Sequence, residues 1–402
     1  MWEPIRGCVA LAAGLMLGLV PMLPGPSSPS TNLNVVAAQA ADLGRAGFPA
    51  GQTSISFSDL DGWAADDHAA ALQAFARSCA QMTQRPPRTR PAGVEGDALA
   101  ALCPLIDDAA DDPRSFFEKH FQPVRIEASG RLTGYFEPRV EASFERTERF
   151  QYPLHARPPD LLELADDSRA LGINDEVTWG RATADGFEAF PDRAEIMAGA
   201  LDGQGLELVW LDNPVDAFFI HIQGSARLAM TDGSVQRLNF AGKSGHAYTP
   251  IGRTLVEQGE MALEDVTMDA LRAWLFDADP EARDNVLASN RSYIFFALSG
   301  DTDRDAGPIA AANVPLTAGR SLAVDRHLHT FGTPVFISSP DPLPGSNEPL
   351  RRLVIAQDTG SAIIGPARGD LFIGSGEAAG SLAGQINQPV TFTLLVPLNP
   401  GG

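Results

Sequence analysis

The chain has 402 residues, 44% of them hydrophobic and 20% charged, enough for two or three domains with a sizeable core. Its 51 Asp and Glu against 30 Lys and Arg give a formal charge of −21, which repels polyanions and argues against a nucleic-acid partner. Three Cys exclude a disulfide scaffold and a Cys-rich metal cluster, while 38 Gly and 31 Pro favour a strand-and-turn architecture.

The first 40 residues read as an export segment. After Arg6 an apolar run extends from Cys8 to Leu23, a Pro/Ser-rich stretch follows, and Ala38-Gln39-Ala40 offers a small-x-small cleavage site. The thin positive flank, with Glu3 offsetting Arg6, leaves an uncleaved N-terminal anchor as the alternative. No Cys follows the apolar run, so a lipoprotein is not expected. An exported, periplasmic location would let Cys79 and Cys103 form one disulfide between two helices; the alternative is two buried thiols.

Residues 41–121 are expected to be helical over Asp66–Met82, Asp97–Asp108 and Pro113–Phe121, the last opened by the Asp112-Pro113 pair. From Val124 the texture turns to short apolar or alternating runs. Strands are expected at Arg131–Phe136, Glu207–Leu211, Ala217–Ile222, Arg227–Met230 and Val235–Phe240, the last two joined through Asp232-Gly233. Helices are expected at Met268–Phe276 and from Asp279 on, then strands again at Ser321–Asp325, Pro334–Ser338, Leu353–Asp358 and Thr391–Pro397. The expected class is mainly β with N-terminal helices and at least two barrel-like modules.

Several chemistries fail on spacing. Gly242-Lys243-Ser244 resembles the end of a phosphate loop, but Leu238 stands where that loop needs Gly. The seven His show no zinc-site spacing, and Gly-x-Ser-x-Gly is absent. No metal and no cofactor are expected. What remains is a set of aspartates at the ends of apolar runs: Asp325, Asp358 and Asp370. A carboxyl set against apolar strand residues loses water and its pKa rises, which is what a proton donor to a glycosidic oxygen requires. Capping of strands and turns in an Asp-rich chain is the plainer alternative.

A series of blocks carries a resemblance. They include Leu132-Thr133-Gly134-Tyr135-Phe136-Glu137-Pro138, His221-Ile222-Gln223-Gly224-Ser225-Ala226-Arg227, Gly242-Lys243-Ser244-Gly245-His246-Ala247-Tyr248, Asn290–Phe296, Gly319–Arg326, Ala356–Ala362 and Gly369–Gly380. In this order the chain resembles the membrane-bound lytic murein transglycosylase A family with its C-terminal three-aspartate domain. The resemblance implies two domains flanking a groove: a double-psi β-barrel built from residues 41–138 and 291–402, and an inserted β domain at 139–290. It also implies cleavage of the β-1,4 bond between N-acetylmuramic acid and N-acetylglucosamine in peptidoglycan, with 1,6-anhydro ends, by a protein expected to act as a monomer. Asp370 falls in the catalytic block, Asp358 matches a supporting aspartate, and Asp325 matches a third of supporting or structural role. Thr133, Tyr135, Gln223, Ser225, Arg227, Lys243 and Tyr248 are the candidate glycan-binding residues. Lys243 is expected at an exposed turn, Arg227 has a local carboxylate partner as its alternative, and Glu137 before Pro138 reads as structural. Relatives often carry Gly at the place of Ser361, a basic residue at Ile364 and an aromatic at Ile373, so an altered substrate preference is expected. A non-catalytic glycan-binding scaffold and a two-carboxylate hydrolase are the competing readings.

Overall fold

Helix α1 (His68–Met82) begins where the Asp67 carboxylate accepts a hydrogen bond from the Ala70 amide, 3.0 Å. The structure, a computed structural model, describes residues 51–163, 179–183, 186–300 and 306–398; the expected export segment lies outside them. Short strand β1 (Gln52–Ser54) precedes α1, and the single helix expected over 97–108 is cut to α2 (Gly96–Ala101). Pro104 has no amide hydrogen with which to extend the ladder, and two 3-10 turns continue to Ala109. Cys79 of α1 and Cys103, just beyond α2, are joined by a disulfide. Helix α3 (Pro113–His120) is capped by Asp112, which accepts from the Ser115 amide at 3.1 Å.

Strands β2 (Phe121–Ile126) and β3 (Gly130–Glu137) then lead into a middle region. It holds β4 (Arg139–Ala142), β5 (Tyr152–His155), β6 (Leu161–Glu163), β7 (Trp179–Thr183), β8 (Gly186–Ala189), α4 (Arg193–Met197) and β9 (Glu207–Leu211). Helix α5 (Pro214–Gln223), hairpin strands β10 (Ser225–Met230) and β11 (Val235–Lys243), helices α6 (Ile251–Gln258), α7 (Met268–Asp277) and α8 (Pro280–Ser289), and β12 (Ile294–Gly300) complete it. The chain closes with β13 (Ser321–Val324), β14 (Pro334–Pro342), β15 (Pro349–Asp358), β16 (Arg368–Ser375), α9 (Glu377–Ala383) and β17 (Asn387–Pro397).

One expected strand is a helix. Ala217–Ile222 lies inside α5, because the caps outweigh the continuous apolar run. Asn213 accepts from the Asp216 amide at 2.7 Å, Pro214 fills the first turn, and Gly224 ends the helix at φ 77°. Gln223-Gly224-Ser225 is therefore a helix end leading into β10, not a loop at a strand end. Helices α4, α6 and α9 carry no expectation from the sequence.

The largest sheet runs β1-β2-β17-β14-β15-β13-β16-β3, and β17 also pairs with β3. The pairing thus closes on itself, each of β3, β16, β13, β15, β14 and β17 having a neighbour on both sides. The β13–β15 and β16–β3 pairs are parallel and the other pairs of this ring antiparallel. Helices α1 to α3 pack on the ring: Phe75, Leu99 and Phe117 share one core with Leu132, Phe336, Ile355 and Phe392. The middle region builds three cores of its own, the first of them where the four-stranded sheet β12-β11-β10-β4 meets the β5-β9 pair and α5.

A buried ion cluster ties the two regions together. Glu137, at the end of β3 and fully buried, pairs with Arg227 of β10 at 3.0 Å and Arg237 of β11 at 2.8 Å. The Ser375 hydroxyl donates to the same carboxylate at 2.6 Å, and both guanidiniums donate to the Ala306 carbonyl at 2.8 Å. A charge this deep persists only when paired and hydrogen-bonded. The structural reading of Glu137 thereby gains its partners, and Arg227 takes the local carboxylate of its alternative reading.

Candidate active site

Strand register places the chemistry. Asp358 at the end of β15 and Asp370 in β16 are both direct neighbours of Ala323 in β13, and Asp370 is in turn the neighbour of Thr133 in β3. A bulge between Leu322 and Ala323 puts Asp358 instead of Gln357 beside Ala323, so four strands set Asp358, Ala323, Asp370 and Thr133 in one row. Tyr135, two residues beyond Thr133, lies on the same face and packs against Phe372 with ring centroids 5.4 Å apart.

Hydrogen bonds then give each carboxyl a different task. Arg368 Nη2 donates to Thr133 Oγ1 at 2.9 Å, which turns the hydroxyl hydrogen toward Asp370, and Thr133 donates to Asp370 Oδ1 at 2.6 Å. Asp370 Oδ2 accepts no hydrogen bond among the described residues. Asp358 is held on both oxygens: the Tyr135 hydroxyl donates to Oδ2 at 2.8 Å and the Ala311 amide to Oδ1 at 3.1 Å.

Burial pushes the Asp370 carboxyl up to about 6, against the pull of the Thr133 hydrogen bond and the Arg368 charge, and the Asp358 charge adds to the rise. Burial also raises Asp358, held back by Tyr135, Ala311 and Thr359. The Tyr135 hydroxyl is pushed well above its usual value by burial and by the same carboxylate, so it stays a donor. A carboxylic acid raised to about 6 and held through one oxygen has the chemistry that a proton shuttle requires.

The remaining candidates spread over the surroundings of this row. Asp325 is buried in the turn after β13, where Oδ1 accepts from the His327 amide and Oδ2 from the Gly365 amide, both at 2.9 Å; it fixes two loops. Gln223 Oε1 accepts from the Phe136 amide at 3.1 Å, behind the strand that carries Tyr135. Ser225 is buried at the start of β10. Lys243 is not at an exposed turn: it ends β11, half-buried, and donates to Ser361 Oγ at 3.2 Å. Burial and the Arg326 charge lower its pKa. Tyr248 lies after β11, its hydroxyl raised by burial and opposed by the nearby Arg193. Ile364 is 59% exposed, whereas Ile373 packs on the main core.

Arg368 was within reach of the sequence, since it stands two residues before Asp370 and a strand puts such pairs on one face. The Ala311 amide was not, because its approach to Asp358 depends on a loop 47 residues away. Among the described residues, no group of three or more His, Cys, Asp or Glu could hold a metal ion.

A closed strand ring bearing aspartates, interrupted by a second β region, defines a three-aspartate domain carrying an insert. The MltA specific insert domain matches residues 131–297 and the 3D domain residues 320–396. The chain belongs to the membrane-bound lytic murein transglycosylase A family. The crystal structure of a membrane-bound lytic murein transglycosylase from Agrobacterium tumefaciens superposes with a TM-score of 0.80 at 42% identity, over 86% of this chain and 98% of that one. The membrane-bound lytic murein transglycosylase A of Escherichia coli K12 is 32% identical over 265 residues, 64% of this chain and 63% of its own length. The chain thus spans less than two thirds of this curated relative. The crystal structure of E. coli MltA with bound chitohexaose matches at 26% identity and a TM-score of 0.62, over 82% of this chain and 90% of that one.

Proposed function

We propose that the chain cleaves the β-1,4 bond between N-acetylmuramic acid and N-acetylglucosamine in peptidoglycan, without water. Protonated Asp370 gives its proton from Oδ2 to the glycosidic oxygen as the bond to muramyl C1 breaks. The same carboxylate then takes the proton of the C6 hydroxyl as that oxygen bonds to C1, which leaves a 1,6-anhydro end and regenerates the acid. The attack is intramolecular, so geometry replaces a second activating base. The observation that carries this reading is one carboxyl raised to about 6, oriented through Oδ1 alone. Asp358, engaged on both oxygens, suits a fixed charge better than the water-activating base a hydrolase needs.

Glycan as ligand is supported by the relative solved with chitohexaose. Tyr135, Lys243 and Tyr248 are the candidate glycan contacts, while Gln223, Ser225 and Arg227 support the walls and Thr133 aims the acid. The separate cores support reading residues 139–290 as an inserted domain, and the closed ring supports a double-psi β-barrel built from 41–138 and 291–402. An exported, periplasmic location fits the N-terminal segment; no described helix is long and apolar enough to cross a membrane. Digestion of purified sacculi tests the reaction: products lighter than the hydrolytic ones by one water are expected. Reducing muramyl ends mean a hydrolase, and unaltered glycan a binding protein.

A further inference from the structure

Next to Asp358 lies a cavity of about 480 Å³ with a composition unlike the rest of the chain. Of its fifteen lining residues four are arginines, Arg85, Arg88, Arg90 and Arg326, and none is acidic, in a protein of net charge −21. The lining also includes the turn Ala311–Asn313, whose Ala311 amide donates to Asp358. One short turn thus separates the arginines from the carboxyl row.

The cationic wall is held in place before any ligand arrives. It belongs to Arg85-Pro86-Pro87-Arg88-Thr89-Arg90-Pro91, where three prolines restrict the backbone. The Arg90 amide donates to Thr330 Oγ1 at 3.0 Å, Thr330 Oγ1 donates to the Val94 carbonyl at 2.6 Å, and the Ala92 amide donates to the Leu328 carbonyl at 2.8 Å. Gly96 fits under this loop because a Cβ there would stand 1.8 Å from the Pro87 carbonyl oxygen. The Arg85 side chain has no partner among the described residues, and Arg326 makes a half-exposed contact with Glu163 at 3.5 Å.

We infer that this cavity binds the carboxylate-bearing peptide stem of the muramyl residue whose C1 is attacked, an inference that rests on the proposed reaction. The stem hangs from C3 of that same sugar, so glycan lying across Asp370 brings stem carboxylates to a neighbouring site. Guanidinium forks match carboxylates in pairs, whereas the amides of Ala311–Asn313 are spent on Asp358, Gln357 and Ala310, so the arginines carry the recognition. The cavity therefore sets which muramyl units are cut, while the aspartate row does the cutting.

The double variant Arg85→Ala/Arg88→Ala tests this on sacculi with stems and on the same glycan stripped of stems by an amidase. Its KM on stem-bearing glycan is expected to rise about tenfold, as for two partly exposed ionic contacts, with kcat unchanged. On stripped glycan both constants should stay within about twofold of the parent, and the double Lys variant should recover part of the lost affinity. Equal effects on both substrates, or none on either, overturn the inference while leaving the reaction intact. Calorimetric titration with an N-acetylmuramyl tripeptide supplies a readout independent of turnover. The parent should bind it and the double Ala variant at least fivefold more weakly. Equal binding by both proteins, or inorganic phosphate binding the parent as tightly as the tripeptide, overturns the site as a stem pocket, even if the chain proves inactive on every glycan.

Discussion

Asp358 and Asp370 stand on opposite sides of Ala323, each its lateral neighbour in the sheet, so two carboxyls share one face across a single methyl group. The charge of Asp358 adds to the rise of Asp370, while Asp358, itself raised by burial, is held back by its two donors.

The first consequence is a pH profile. In the proposed reaction Asp370 works as an acid first, so kcat/KM should fall as pH rises through about 6. Asp358→Asn removes a negative charge and should move this limb to lower pH; Arg368→Met removes a positive one and should move it to higher pH. Rate profiles of the three proteins on one soluble glycan settle the matter. A limb that stays fixed in both variants means that another group titrates.

Asp370→Asn should lower turnover by at least about a thousandfold, with glycan affinity largely kept. It should also stabilise the fold at neutral pH. The folded carboxyl sits at about 6 against an ordinary 3.8, so its favourable contribution is full below 3.8 and is lost as pH rises through about 6. The variant should therefore gain up to about 3 kcal/mol over the parent at pH 7.5, and close to nothing at pH 3. Urea unfolding at both pH values measures this. A variant less stable than the parent at pH 7.5 would show that the carboxylate is welcome in its site.

Much of this arrangement can be read from local sequence. Alternation and turn residues give β10, β11 and most of the ring strands, and Asp112 and Asp279 announce helix starts. Helix α5 misleads because Ile220 and His221 are buried along with Val215, Phe218 and Phe219, so the continuous run 217–222 hides the helical spacing of 215, 218 and 219. The aspartates stand out by type and by resemblance to the family. Their shared row does not, because it depends on β15, β13, β16 and β3 pairing in an order that sequence order does not follow. The partners of Glu137 are hidden for the same reason: Arg227 and Arg237 lie 90 and 100 residues away.

Glu137→Ala should be the most disruptive single change outside the hydrophobic cores. It leaves Arg227 and Arg237 buried without their carboxylate, a loss of about 3–5 kcal/mol. Denaturant unfolding should show it, with activity falling in proportion to the folded fraction. Loss of activity in a fully folded variant would instead assign Glu137 to the reaction.

The disulfide should matter for stability and not for turnover. It closes a loop across 24 positions at the edge of the main core, and removing it as Cys79→Ala/Cys103→Ala should cost about 3 kcal/mol. Thiol titration of the denatured mature chain, cleaved after the segment that carries Cys8, should find neither cysteine free. Two reactive thiols would show that the bridge is not formed.

Thr133→Val isolates the aiming of the acid from its presence. Valine keeps the volume and removes the hydroxyl that receives Arg368 and donates to Asp370, so the carboxyl loses one of the two influences holding its pKa down. The acidic form then persists to higher pH, yet Oδ1 is no longer fixed and Oδ2 no longer points reliably at the glycosidic oxygen. Turnover should fall about ten- to a hundredfold while the falling limb moves to higher pH, a combination that general loss of structure does not produce. Thr133→Ser keeps the hydroxyl and should restore both. If serine and valine behave alike, the hydroxyl relay from Arg368 to Asp370 plays no part in the chemistry.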